Sequence, residues 1–427
     1  MGIFTTILLL FIFVFVIHVD GITKKGISLY KTFIIYWMAI VFFGIFQLYG
    51  LYDISIDVYI LVLEGCLAFS IGYILFKKSN KEYHKKQTAA VIKEYVSFNV
   101  FFYVALSGAV FLVLKQVLMI LPIILLSGMS DARSELQMDE TLTLVGGWDI
   151  ILAYFAKPFI KATMIILIVN MFHYKIQMKK VILVLFLVGV YFFSEGGRAV
   201  VMDLFFSFCY LLYVNKKLLS KKSIAKIKNT IVFIAFLPVL ATFERGGDVF
   251  FAIYTYYCGS LQYLSQALQF KTVYFEENLY GMACFQGFIK PITGLLQIIG
   301  IAKPQVVQDA SDFIIDAQTT VYNIAPNCEM NYFYTTFGYA YKDGGYIGNF
   351  ILHIIYGIIC KYIDIKSFIN SKTIRWVAVK TTFFYCILYT MSYYHFSMYL
   401  HAMTIIYIVV ITSNIFSDKK TCMKRIS

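Results

Sequence analysis

This chain of 427 residues lacks the motifs of a nucleotide-driven enzyme. It has no G-x-G-x-x-G, no G-x-x-x-x-G-K-[ST] and no D-x-D. These absences argue against a dinucleotide site, a self-contained ATP-driven pump and a metal-dependent transferase fed by cytosolic nucleotide sugars. No histidine pair has metal-ligand spacing and no Ser or Cys sits in a nucleophile context, so neither a metal nor a cofactor is expected. Tandem repeats, low-complexity linkers and a second soluble domain are missing too. The first hydrophobic stretch has no basic n-region and no small-x-small cleavage site, which argues against a cleaved signal peptide. Charge is scarce, at 14% of residues.

What the chain has is apolar length. It is 60% hydrophobic with a mean hydropathy of +0.74, more apolar surface than a soluble domain can hide. Eleven apolar segments stand out, at 3–19, 30–49, 58–76, 97–114, 149–170, 181–194, 199–214, 230–242, 346–362, 376–392 and 397–416. A backbone in lipid must satisfy its own hydrogen bonds, and these runs are too long for strands. The expectation is an all-α polytopic protein with about eleven transmembrane helices, forming a single integral membrane domain over 1–427.

The loops between the segments alternate in charge. Lysine-rich loops follow the first, third, fifth, seventh and ninth segments and the last, and they hold 26 of the 37 basic residues. The other side carries seven: Arg133, Arg198, Arg245, Lys271, Lys290, Lys303 and Lys342. By the positive-inside rule the N-terminus is outside and the C-terminus cytoplasmic. The net charge of +13 is therefore dispersed over cytoplasmic loops, and no nucleic-acid partner is expected. Cys258, Cys284 and Cys328 fall on the outer side, an odd number that closes no disulfide framework. The remaining cysteines read as small packing residues.

One large excursion, 243–345, lies on the outer side. A structureless loop that long is uncommon, and this one repeats apolar residues at helical spacing: Phe250, Tyr254, Tyr257, Leu261, Leu264 and Leu268. That spacing predicts an amphipathic helix on the membrane or against the bundle. Two outer turns share a composition, Glu195-Gly196-Gly197-Arg198 and Glu244-Arg245-Gly246-Gly247-Asp248. The helices beside the first turn look short, about 21 Å for 14 residues against a ~30 Å core. The turn would then sit at membrane depth, where charge usually lines a watery cavity.

Arginine is the natural clamp for phosphate, because its planar fork donates two hydrogen bonds at once. Arg198, Arg245 and Arg133 are all the arginine of the outer face and read together as a pyrophosphate site. The alternative is a structural clip between Glu195 and Arg198, or three unrelated surface residues. Transfer to a hydroxyl needs a general base. Glu195 and Glu244 lead for their depth, ahead of Asp131, Asp248, Glu329, Asp343 and His395. Asp203 and Glu64 lie inside predicted helices and are expected to pair with Lys115, Lys157, Lys161 or Lys380, a feature a proton-coupled transporter would share.

Short stretches carry a family likeness. They are Asp131-Ala132-Arg133, then Gly196-Gly197-Arg198-Ala199, then the tyrosine-rich run from Tyr254 to Ser260. The last is Tyr334-Thr335-Thr336-Phe337-Gly338-Tyr339-Ala340-Tyr341-Lys342-Asp343-Gly344-Gly345-Tyr346-Ile347-Gly348, leading into a helix with Gly357. With these the chain resembles the Wzy-type O-antigen (oligosaccharide repeat-unit) polymerases, with Asp343-Gly344-Gly345 where many members carry a bulkier residue. The resemblance implies a GT-C-like membrane glycosyltransferase in the bacterial cytoplasmic membrane. Its substrate would be an undecaprenyl-diphosphate-linked oligosaccharide, joined into O-antigen, capsule or exopolysaccharide. A chain-length regulator and a flippase would be its partners beside membrane lipid. Arg198 and Arg245 would hold the donor diphosphate, Arg133 the acceptor diphosphate, Glu195 or Glu244 would be the base, and Tyr254, Tyr257 and Asp343 would contact sugar. A lipid-linked oligosaccharide flippase or other transporter, and an O-antigen ligase, remain the alternatives.

Overall fold

The computed structural model describes residues 1–20, 27–76, 92–127, 147–173, 177–195, 199–215, 249–269, 275–326, 328–331, 334–369 and 373–423. The described residues are mostly helical, at 82%, and five helices among them are long and apolar enough to cross a membrane. It is a mainly helical membrane-embedded protein. Two short antiparallel strand pairs depart from the all-α expectation. The chain divides into two compact units. The first comprises Met1–Lys81, Thr242–Lys366 and Cys386–Tyr399; the second comprises Glu82–Ala241, Ser367–Tyr385 and Leu400–Ser427.

In the first unit, α1 (Gly2–Val19) packs on α2 (Leu29–Gly44) and α3 (Ile56–Leu75). α1 exposes Ile3, Phe11 and Phe15, as a lipid-facing helix does. α2 begins where it does because Ser28 Oγ accepts the Lys31 N–H at 3.1 Å. Asp364 Oδ2 accepts the neighbouring Leu29 N–H at 2.9 Å. α2 ends in a left-handed turn through Gln47 and Tyr49.

The described part of the 243–345 segment is folded. It contains α8 (Val249–Gln269), α9 (Met282–Ile298), α10 (Gln305–Thr319) and the hairpin β2 (Val321–Ala325) with β3 (Cys328–Asn331). The helix expected from Phe250 to Leu268 is α8. It lies against the bundle, contacting α2 and β2, with Leu261 and Leu264 fully buried. β2 joins the same body: the Tyr52 N–H donates to Ile324 O at 2.8 Å and the Tyr263 hydroxyl to Thr320 O at 2.9 Å. Lys303 Nζ donates to Ser311 Oγ at 2.6 Å, and burial holds the Lys290 and Lys303 amines below the ordinary lysine range.

α11 (Thr335–Ile369) starts well before the expected apolar segment at 346–362 and is broken at Gly344 and Gly345. Hydropathy marks only its second half. That half crosses α3 at close range: a Cβ at Gly72 would meet the Ile354 carbonyl, and one at Gly357 the Phe69 carbonyl. Helix α2 packs aromatic rings on both, with Phe33 on Phe69 of α3 at 4.2 Å and Trp37 on Phe337 of α11 at 4.6 Å.

In the second unit, strand β1 (Ile92–Phe98) pairs with β4 (Ser417–Met423). α4 (Val100–Ser127) runs thirteen residues beyond the expected end at Leu114 and carries Lys115 mid-helix. α5 (Lys157–His173) follows a π-turn, Leu152–Ala156. Pro158 accounts for that turn, since it has no N–H for the Tyr154 carbonyl and its ring crowds it. α6 (Met178–Glu195) and α7 (Ala199–Asn215) pack on α5. At 18 and 17 residues they rise about 27 and 26 Å, close to the ~30 Å core. Helices of that length do not by themselves draw the Glu195–Arg198 turn below the membrane surface. α12 (Ile374–Leu388) and α13 (Tyr399–Ile411) complete the chain of helices.

Candidate functional site

The expected diphosphate site cannot be built from the described residues. Arg133, Arg198, Glu244 and Arg245 lie outside them, and so does the apolar segment at 230–242. Glu195 closes α6 in its backbone, and its side chain lies outside the described set.

The remaining expected residues have definite places. Tyr254 is a brace: its hydroxyl donates to Phe43 O at 2.8 Å and accepts the Leu48 N–H at 3.1 Å, so α8 holds the end of α2. Tyr257 is half-buried with its ring edge-on to Tyr36 at 6.3 Å. Asp343 is buried and engages a helix terminus. Its Oδ1 accepts the Ala283 N–H at 2.9 Å and its Oδ2 the Cys284 N–H at 2.8 Å. Gly281, the N-cap of α9, has no side chain to offer, and Asp343 supplies the acceptors from a distant part of the chain.

The exchange is reciprocal. The Lys342 and Asp343 carbonyls lie just before the break in α11. Leu279 N–H donates to the first at 3.1 Å and Tyr280 N–H to the second at 2.9 Å. Helix α9 and the first half of α11 are thereby spliced together. The apolar wall behind the splice includes His395. It is fully buried in the turn His395–Ser397, against Phe396 at 4.1 Å and Tyr356 at 4.8 Å.

The two intramembrane acids part company. Asp203 pairs with Lys161 at 2.5 Å in the second unit, and both are nearly fully buried. Of the four lysines expected to serve it, Lys161 makes the ion pair. Glu64, expected to find a lysine, finds an amide: Asn349 Nδ2 donates to Glu64 Oε2 at 2.8 Å and to Leu61 O at 3.0 Å. No cation reaches Glu64 among the described residues. It is half-buried, and it faces α11 just after the helix break. A carboxylate in a spanning helix beside a discontinuous helix is where membrane proteins place ligand and ion sites. The sequence marked Glu64 as one acid in an apolar run, but its amide partner, 285 positions away, was not legible there.

No protein-family model matches the chain, and no curated protein or solved structure matches it. The class the structure defines is therefore a mainly helical membrane-embedded protein with a folded segment inserted between its apolar helices.

Proposed function

We propose that the protein is an integral membrane glycosyltransferase. It would join undecaprenyl-diphosphate-linked oligosaccharide repeat units into a surface polysaccharide at the outer face of the bacterial cytoplasmic membrane. The observation that carries this reading is the 243–345 segment, which packs α8 and the β2–β3 hairpin onto the bundle. A transporter built on repeats with short loops leaves such a segment without a task. The charge alternation supports eleven spans with an outer N-terminus and a cytoplasmic C-terminus. It puts Arg198, Arg245 and Arg133 on the same side as the folded segment, available to a diphosphate. Arg198 and Arg245 neutralise the departing diphosphate, the charge that grows in the transition state. Arg133 holds the acceptor diphosphate, and Glu195 or Glu244 takes the acceptor hydroxyl proton.

The test is the size distribution of surface glycan in a strain deleted for this gene. The expected outcome is loss of the ladder with survival of a single-repeat band. Loss of every band with lipid-linked units trapped inside would make it a flippase, and intact polymer left on the carrier would make it a ligase. Arg198→Ala and Arg245→Ala are expected to reproduce the deletion while still inserting in the membrane.

A further inference from the structure

The α3–α11 face carries acceptors in excess of donors. Glu64 and Asp57 lie two turns apart on α3, about 10 Å along its axis, and so share a face. Across from them the second half of α11 opens with Tyr346, whose hydroxyl is within electrostatic reach of both carboxylates. Tyr346 is 39% exposed, and the Tyr341 ring meets it edge-on at 5.4 Å from the other side of the break. One turn on, Asn349 is fully buried, and it holds Glu64 with its Nδ2. Its Oδ1 has no hydrogen-bond partner and lies beside the same turn of α3, at Gly65.

The chemistry of this set is specific. Ionised carboxylates and an amide oxygen only accept hydrogen bonds. An acceptor buried without a donor costs free energy, and a carboxylate at membrane depth is costly unless it meets water, a cation or a polar ligand. A ligand that answers the half-buried Glu64 and the exposed Asp57 carboxylates brings hydroxyl donors to both. The exposed tyrosine ring beside them adds a flat apolar surface. A sugar ring has both features, hydroxyls at its rim and a C–H face. Helix geometry makes the arrangement possible: the turn at Gly345, with φ +62°, sets Tyr341 and Tyr346 side by side across the break.

We infer that Glu64, Asp57, Asn349 and Tyr346 form a saccharide-binding subsite, with Glu64 and Asp57 accepting hydroxyls of one sugar and Tyr346 stacking on its face. This rests on the transferase reading for its substrate: the sugar belongs to the repeat unit. Asn349 is a positioning residue that fixes the Glu64 carboxylate.

The experiment is equilibrium binding of the oligosaccharide repeat unit, released from its lipid by mild acid, to the full-length protein in lipid nanodiscs. Wild type is expected to bind. Glu64→Gln and Tyr346→Ala are each expected to weaken binding about tenfold or more, the effect of losing one charged hydrogen bond or one aromatic contact. Glu64→Gln removes a charge from the membrane and leaves shape intact, and a thermal melt checks that it remains folded. Equal affinity in wild type and both variants overturns the subsite. So does an absence of sugar binding together with a stabilisation by NaCl that Glu64→Gln abolishes, which would make the face a cation site. Sugar binding that Glu64→Gln weakens, in a strain whose glycan ladder survives deletion of the gene, would keep the subsite and overturn the polymerase.

Discussion

Lys161 and Asp203 show what a single pair of residues does in this protein. Each is nearly fully buried, and the Lys161 amine also lies 5.1 Å from the centre of the Tyr385 ring. Removing one partner strands the other charge away from water, which typically costs about 3–5 kcal/mol. Lys161→Ala and Asp203→Ala are each expected to destabilise by that amount. The double variant is expected to lose less than the sum, measured by thermal unfolding in detergent as a double-mutant cycle. Additive losses would mean the pair contributes nothing as a pair. The acid and the lysine were both visible in the sequence as charges inside apolar runs. Which of four lysines serves Asp203 was not, because the two residues are 42 positions apart on different helices and hydropathy says nothing about rotation.

At the scale of elements, the decisive feature is the break in α11. Gly345 adopts φ 62° and ψ −148°, a region that side-chain-bearing residues avoid. Gly345→Ala is expected to destabilise by roughly 1–3 kcal/mol. It is also expected to loosen the splice between Asp343 and the start of α9, read as faster amide exchange at Ala283 and Cys284. Unchanged exchange there would show that the break and the splice are independent. The sequence displayed Asp343-Gly344-Gly345 plainly, and it reads there as the end of a loop before a helix. The structure makes it an interruption within one helix. The reason is that Thr335–Asp343 is polar enough to look like loop, and its helical state depends on partners such as Leu279 and Thr390 that are distant in sequence.

At the scale of the whole molecule, the charge alternation makes a topology testable. Single-cysteine labelling is expected to find the N-terminus and residues near 310 accessible from outside, and residues near 220 and the C-terminus accessible only from the cytoplasm. Most native thiols are poor competitors. Cys66, Cys258, Cys284, Cys360 and Cys386 are buried, and burial pushes the Cys258 thiol up to about 12, so little reactive thiolate exists at neutral pH. Labelling near 310 from the cytoplasmic side would invert the topology and remove the folded segment from the outer face.

The amino-acid sequence alone determined the helical membrane class and the presence of a helix from Phe250 to Leu268. Both follow from local rules: apolar runs must satisfy their backbone in lipid, and 3.6-residue spacing builds a buried stripe. It also put Asp343 and Tyr254 among the candidate residues, without showing that one caps a helix 60 residues away and the other braces the end of α2. Only the tertiary structure decided those partnerships, the meeting of Glu64 with Asn349, and the close crossing of α3 and α11 at Gly72 and Gly357. Each depends on how far apart two helices sit and how they are rotated. Those quantities are set by packing between segments that are hundreds of residues apart, and no local pattern encodes them.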